Sequence, residues 1–143
     1  MLKAFLVFFI IAQSIMLGST DSFAQKMNYF TNYEEALQEG VKKYKPLMFI
    51  VETTTCPWCK KLENQVLSKE NINAIIQTNF VPLILNRDKD NYPKKLFEAK
   101  GVPTTFFIDP LTQKILHKVR GYKSKKAFTK ELNTAKNIYY KGK

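Results

Sequence analysis

Apolar and polar positions are arranged along the chain in segments that predict alternating strands and helices. Three apolar runs have the length of buried strands, at 47–52, 80–86 and 104–109, and a fourth strand of mixed polarity is predicted at 114–120. Pro82, near the start of the second run, indicates a strand at the edge of a sheet, because proline cannot donate a ladder hydrogen bond.

Helix signals occupy the segments around these strands. Polar side chains that can cap helices precede periodic segments, and Pro57 suits a first helical position, where its missing N–H costs nothing. Gly101 suits the end of the fourth helix. The candidate capping residues are Asn32, Ser68, Asn91 and Ser124. The predicted helices cover about 33–44, 57–67, 69–78, 92–100 and 125–139.

The order of these elements predicts the topology. The short link at 109–113 allows only an antiparallel hairpin, whereas parallel strands need a longer crossover. We therefore expect an α/β fold, with a mixed four-stranded sheet flanked by helices and an extra N-terminal helix. The helix that begins at Pro57 then starts at the carboxyl edge of the sheet, where the sites of open α/β folds lie.

The first 24 residues predict an export signal. Lys3 precedes an apolar run at 4–12, and Ser22 and Ala24 provide the small residues of a cleavage site. Cleavage after Ala24 leaves one domain at 25–143, located in the periplasm or otherwise exported. A retained membrane anchor is the alternative, although the apolar run is shorter than the roughly 20 residues that span a bilayer.

Composition narrows the possible functions. The 143 residues are 45% hydrophobic and 24% charged, which fits one folded domain. Two cysteines and one histidine are too few for a multi-disulfide scaffold or a closed zinc site. The net charge of +11 suits nucleic acid or anionic lipid, but the lysines are spread along the chain. We therefore expect no nucleic-acid partner and a solvated basic surface, with contact to an anionic membrane or acidic partners as the second interpretation.

The chemistry is concentrated in the two cysteines of a Cys-Pro-Trp-Cys motif. Cys56 and Cys59 are three positions apart on a helix, which places their Cβ atoms about 5–6 Å apart and allows a disulfide. Cys59 shares a helical stripe with Leu62 and Val66, so it should face the core. Cys56 lies at the helix tip, where free N–H groups, the helix dipole and Lys60 favour a thiolate. The pattern predicts that Cys56 attacks and Cys59 resolves.

Two other uses of this pair stay open. A purely structural disulfide gains little stability from such a short loop. A copper site would need ligands beyond the two thiols and His117. Thiol–disulfide exchange is favoured, because an exported CxxC pair that opens a helix after a strand has the surroundings that stabilise a thiolate.

The segments 47–60 (LMFIVETTTCPWCK) and 101–105 (GVPTT) resemble the thioredoxin superfamily, and more narrowly the small exported thioredoxin-like proteins of bacterial disulfide reduction. The resemblance covers about residues 33–140. It implies that Val102-Pro103 is a cis peptide facing the disulfide and that Thr104 follows it in the substrate-binding loop. Trp58, between the cysteines, should be exposed, either as part of a docking surface or as a shield for the disulfide.

The chain departs from the thioredoxin pattern at one position. Thioredoxins generally place a buried aspartate six residues before the first cysteine, and Ile50 stands there. Glu52 lies on the same face of the predicted strand and is a candidate for proton transfer to Cys59. The alternative is a solvated carboxylate paired with Lys60 or Lys61.

These observations predict an exported thiol–disulfide oxidoreductase that reduces protein disulfides through Cys56 and Cys59. The exchange chemistry needs no cofactor. The oxidised pair must be reduced again, and relatives imply a membrane electron donor. A dithiol oxidant of exported proteins and a non-enzymatic copper carrier that uses the same thiols are the alternatives.

Overall fold

The computed structural model of the protein describes residues 19–143. In chain order the helices and strands are α1 (Ser19–Met27), α2 (Tyr33–Lys43), β1 (Leu47–Glu52), α3 (Pro57–Leu62), a π-helical turn (Glu63–Leu67), α4 (Glu70–Asn79), β2 (Val81–Asn86), β3 (Thr104–Ile108), β4 (Ile115–Arg120) and α5 (Lys125–Lys141). Two predicted caps are confirmed. The N–H of Glu35 donates to Asn32 Oδ1 at 3.0 Å, and the N–H of Ala127 donates to Ser124 Oγ at 3.4 Å.

The four strands form the predicted mixed sheet, and their order is β2-β1-β3-β4. β1 pairs with β2 in parallel and with β3 in the antiparallel direction, and β3 and β4 form the predicted hairpin. Pro82 does lie on an edge strand. Phe30 bridges the outer side of β2, where its N–H donates to the carbonyl of Pro82 and its carbonyl accepts from the N–H of Ile84.

Apolar side chains cover both faces of the sheet. Alternate residues of β1 point to opposite faces, so Met48 and Ile50 belong to one buried cluster and Phe49 and Val51 to the other. The first cluster packs under α1, α3, α4 and α5, and the second packs under α2 and the loop after β2. The four predicted apolar positions along α5 are all buried: Phe128, Leu132, Ala135 and Tyr139.

The helix predicted at 92–100 is wrong. Residues 91–103 form turns and bends, with Phe97 N–H donating to the Pro93 carbonyl at 3.0 Å. Tyr92 and Phe97 both contact the ring of Phe49, at centroid distances of 5.2 and 5.7 Å. Residues five apart on an α-helix point in directions about 140° apart, so a helix cannot direct both rings to one partner.

The helix predicted at 57–67 is regular only to Leu62. A π-helical turn follows, in which the N–H of Ser68 donates to the carbonyl of Glu63 at 2.9 Å. The Ser68 hydroxyl donates back to the carbonyl of Asn64, so the predicted cap of α4 is wrong. Lys69 occupies that N-cap position without a side-chain hydrogen bond.

Helix α1 was not predicted, because its residues fall in the segment interpreted as the end of an export signal. Phe23 and Ala24 are buried in the first cluster, and the ring of Phe23 lies 5.5 Å from that of Tyr29 in an edge-to-face contact. The apolar run at 4–12 lies outside the described residues, so the signal peptide and cleavage after Ala24 stay predictions. Among residues 19–143, no helix has the length and apolar character needed to cross a membrane.

Candidate active site

The sheet brings the two predicted site segments to one edge. In the register of β1 and β3, Val51 lies opposite Thr104. The residue after Val51 is Glu52, which ends β1, and the residue before Thr104 is Pro103. The loop that carries Cys56 to the start of α3 therefore leaves the sheet next to the Pro103 loop.

The two cysteines form a disulfide whose Cα atoms are 5.2 Å apart. Cys56 is the N-cap of α3, and its Sγ accepts a hydrogen bond from the N–H of Cys59 at 3.1 Å. This donor would also stabilise a Cys56 thiolate in the reduced protein. Cys59 is fully buried, as the stripe with Leu62 and Val66 predicted. Cys56 is less exposed than expected, at 7%, and is still the more exposed cysteine of the pair.

Trp58 lies on the surface between the cysteines, with 55% of its area exposed. Its ring centre is 5.7 Å from that of Tyr122, in the segment after β4. The ammonium group of Lys61 lies over both rings, 4.9 Å from one centre and 4.8 Å from the other. The cation–π contacts hold a rigid aromatic surface beside the disulfide.

The Val102–Pro103 peptide bond is cis, as the resemblance implied. The hydroxyl of Thr104 donates to the carbonyl of Gly101 at 2.7 Å, and the N–H of Gly121 donates to the carbonyl of Pro103 at 2.8 Å. The Thr104 side chain therefore holds the loop in shape. Val102 is the half-buried member of the predicted substrate-binding group, whereas Pro103 and Thr104 are buried.

Glu52 is fully buried, so the solvated alternative is wrong. Neither of its carboxyl oxygens accepts a hydrogen bond from another group within residues 19–143. Burial first, and then the carboxyl of Glu63, raise the pKa of Glu52 to about 9, against the opposing effect of Lys60. Burial and a neighbouring carboxyl both disfavour the charged form of a carboxyl group. Glu52 therefore holds a proton at neutral pH in this oxidised form.

Sequence reasoning missed Glu63, which is 3% exposed and accepts two hydrogen bonds from Lys60, at 2.9 and 3.1 Å. Because Lys60 is paired with Glu63, its positive charge stabilises a Cys56 thiolate less than predicted. The signal available in the sequence was the spacing of four between Cys59 and Glu63, which places both on one side of a helix. Glu63 thus lies one helical turn after Cys59, and its carboxyl acts on that of Glu52.

Tyr29 belongs to the same buried region. Its hydroxyl has no hydrogen-bond partner in the described part of the chain. Burial, and then the nearby Glu52 carboxyl, raise its pKa well above the ordinary value for tyrosine. Tyr29 therefore keeps its hydroxyl proton and stays neutral. The proton that can be exchanged in this region is the one on the Glu52 carboxyl.

The structure does not bring His117 to the cysteines. Its Nε2 lies 2.5 Å from Oε2 of Glu131 on α5, and its ring stacks on Phe107. Within residues 19–143, no group of three or more His, Cys, Asp and Glu side chains is placed to hold a metal ion. His117, the third possible ligand of a copper site, is thus paired with Glu131.

A CxxC disulfide at a helix start, next to a cis-proline loop on a mixed four-stranded sheet, defines a thioredoxin-like protein. The sequence matches the thioredoxin-like domain family over residues 33–136. The chain belongs to this family and carries a CxxC pair.

The chain is also similar to individual known proteins in sequence or in fold. It is 31% identical over 87 residues to anterior gradient protein 3 of Mus musculus, a match that covers 59% of this chain and 50% of that protein. The chain thus spans about half the length of this curated relative. The fold is similar to that of a Thermus thermophilus thioredoxin, with a TM-score of 0.70, 21% identity and coverage of 80% of this chain and 92% of the thioredoxin. It is also similar to the oxidoreductase DsbH, with a TM-score of 0.64, 20% identity and coverage of 76% and 83%.

Proposed function

We propose that this protein reduces disulfide bonds in exported proteins, with Cys56 as nucleophile and Cys59 as resolving thiol. The observation that carries the proposal is the unequal placement of the two sulfurs. Cys56, at the N-terminus of α3, keeps a small exposed area, whereas Cys59 is fully buried. An accessible sulfur can meet a protein substrate, and a buried one can react only with its neighbour.

In the first step, the Cys56 thiolate attacks one sulfur of the substrate disulfide. The new bond joins Cys56 to that sulfur, and the second substrate sulfur leaves as a thiolate. The N–H of Cys59, which lies 3.1 Å from Cys56 Sγ, stabilises the attacking thiolate. Trp58 and the Val102–Pro103 loop form the surface on which the substrate chain rests.

In the second step, Cys59 attacks Cys56 in the mixed disulfide and releases the remaining substrate thiolate. The substrate has then gained two electrons, and the Cys56–Cys59 disulfide has formed. Cys59 must lose a proton to attack, and we assign Glu52 as the acceptor. Its raised pKa leaves only a small ionised fraction at neutral pH, but makes that carboxylate basic enough to take the proton of a thiol. The raised pKa of Glu52 in the oxidised form supports this assignment, because the product state then holds the transferred proton on that carboxyl.

The lack of a charged group engaged with the Cys56 sulfur among the residues around it supports electron donation as the direction of transfer. Pro57 and Trp58 bring no charge between the cysteines, and Lys60 is bonded to Glu63. A strong oxidant requires a strongly stabilised reduced form. The dithiol should therefore donate electrons, and the structural similarity to DsbH supports protein disulfides as substrates. A membrane electron donor would reduce the pair again.

Reduction of insulin by dithiothreitol tests this function. The full chain should accelerate precipitation of the insulin B chain, whereas Cys56→Ser should have no activity. His117→Gln is the matched control, because His117 lies away from the thiols and should leave the rate unchanged. A wild-type rate equal to that of Cys56→Ser would refute the proposed function.

A further inference from the structure

A concave groove of about 390 Å³ lies directly beside the cis-proline loop. Its walls carry three cations, from Lys100, Lys118 and Arg120, and one carboxylate, from Glu98. Val102, the residue before the cis-proline, forms part of its lining. Most of the charge in the groove is therefore positive.

The strand register explains why two of these cations share one side of the groove. Lys118 and Arg120 are two positions apart on β4, so their side chains leave the same face of the sheet. Arg120 lies opposite Thr104, and Lys118 lies opposite Phe106. The Lys118 ammonium group is 4.8 Å from the Phe106 ring centre and donates to the carbonyl of Glu98 at 3.0 Å. Lys118 is therefore fixed as part of the wall.

The other two cations are available to a ligand. Arg120 is exposed, and in the described part of the chain no hydrogen bond or ion pair engages its guanidinium group. The Lys100 side chain is 87% exposed and its Nζ lies 3.9 Å from a Glu98 carboxyl oxygen. Exposed pairs of this kind contribute little energy, so a better-placed carboxylate can replace Glu98.

The segment after β4 connects the groove wall at Gly121 with the residues around the disulfide. The hydrogen bond from Gly121 to the carbonyl of Pro103 joins this segment to the cis-proline loop. The next residue, Tyr122, packs against Trp58 within the CxxC motif, and Lys61 lies over both rings. A peptide that leaves the groove along this segment therefore reaches Trp58, between the two cysteines, and the Lys61 cation.

We propose that this groove binds an acidic segment that flanks the disulfide of a protein substrate. The inference rests on the proposed function, because it names the substrate class of the same site. Complementary charge steers such a segment to the site, and like charge disfavours a basic one. The cations line concave walls, which fits a peptide chain better than the flat surface of a membrane.

The test uses the reduced full chain and three synthetic peptides with the same disulfide, flanked by aspartates, serines or lysines. The second-order rate constant of disulfide reduction is measured at low and high ionic strength. At low ionic strength the aspartate peptide should react about 3- to 10-fold faster than the serine peptide, and high salt should remove most of this difference. The lysine peptide should be the slowest.

The variant that tests the groove combines Lys100→Gln with Arg120→Gln. It should lose the preference for the aspartate peptide and keep the wild-type rate on the serine peptide. The matched control combines Lys42→Gln with Lys114→Gln, which removes the same charge near the opposite end of the sheet. This control should keep the preference.

The outcomes separate the two proposals. Equal rate constants on all three peptides would overturn the acidic-segment inference and leave the proposed function intact. If no peptide is reduced, the proposed function fails, and fluorescence anisotropy of the aspartate peptide with the oxidised protein still tests the groove. Binding that depends on Lys100 and Arg120 supports the groove, and its absence overturns it. Arg120-dependent binding to phosphatidylglycerol vesicles, without a preference among peptides, would assign the groove to a membrane surface instead.

Discussion

Replacing Glu52 by glutamine should change how the stability of the protein depends on pH. Glu52→Gln exchanges a buried carboxyl for a neutral amide of nearly the same shape. The pKa of Glu52 in the folded protein is about 9, compared with about 4.3 in an unfolded chain. Between these values the folded state binds the proton and the unfolded state does not. The free energy of unfolding therefore falls as the pH rises from about 4.3 to about 9.

The size of the effect follows from linkage. One proton held only by the folded state changes the free energy of unfolding by about 1.4 kcal/mol per pH unit. Between about pH 5 and about pH 7, Glu52 therefore removes about 3 kcal/mol of wild-type stability. Glu52→Gln lacks this dependence, and its amide can donate to the Glu63 carboxylate. The variant should gain about 3 kcal/mol relative to the wild type across this range.

Urea unfolding of the oxidised proteins, at several pH values within that range, measures the difference. Glu98→Gln is the control, because the Glu98 side chain is 67% exposed and paired only at 3.9 Å. Its stability difference from the wild type should stay constant. If the stabilities of Glu52→Gln and the wild type run parallel with pH, the folded protein does not hold a proton on Glu52 and the reasoning is refuted.

Three further predictions concern the thiols, proton transfer and the N-terminus. In the reduced protein, mass spectrometry should show that Cys56 is alkylated faster than Cys59, and equal rates would contradict the assigned roles. The Cys59→Ser variant should accumulate mixed disulfides, whereas the Cys56→Ser variant should not. Stopped-flow kinetics should show that Glu52→Gln slows resolution at least about tenfold near neutral pH and leaves the first attack unchanged; an unchanged resolving rate excludes proton transfer. N-terminal sequencing of exported protein should begin at Gln25. A protein that begins at Gln25 should be about 1.5–3 kcal/mol less stable to urea than one that begins at Ser19, because it lacks the buried side chain of Phe23. Equal stability of the two proteins would show that Phe23 contributes nothing.

The sheet and the position of the disulfide could be predicted because their signals are local. Apolar runs and a short hairpin link define the strands, and the spacing of Cys59, Leu62 and Val66 defines the buried side of the helix. Cys56 was harder to place. Its position at the helix tip is a local property, whereas its small exposure depends on distant segments that pack beside it.

The wrong helix at 92–100 and the missed role of Glu63 both depend on distant contacts. The turns at 91–103 exist because Tyr92 and Phe97 pack on Phe49, and no local propensity records that packing. The carboxyl pair forms because Glu63, at the start of the π-helical turn after α3, lies near Glu52 at the end of β1. This proximity depends on how the two elements pack together. The sequence placed Glu52 on the correct face of β1 and could not supply its partner.

The reduction potential of the Cys56–Cys59 pair tests the central claim most directly. Trp58 is the only tryptophan in the sequence and lies between the cysteines, so its fluorescence should report the redox state during equilibration with glutathione buffers. Reference values are about −270 mV for thioredoxin and about −120 mV for a strong periplasmic oxidant. A reductant predicts a potential below their midpoint, about −195 mV. A value above that midpoint, with rapid oxidation of a reduced unfolded protein, would contradict the account and make the protein an oxidant.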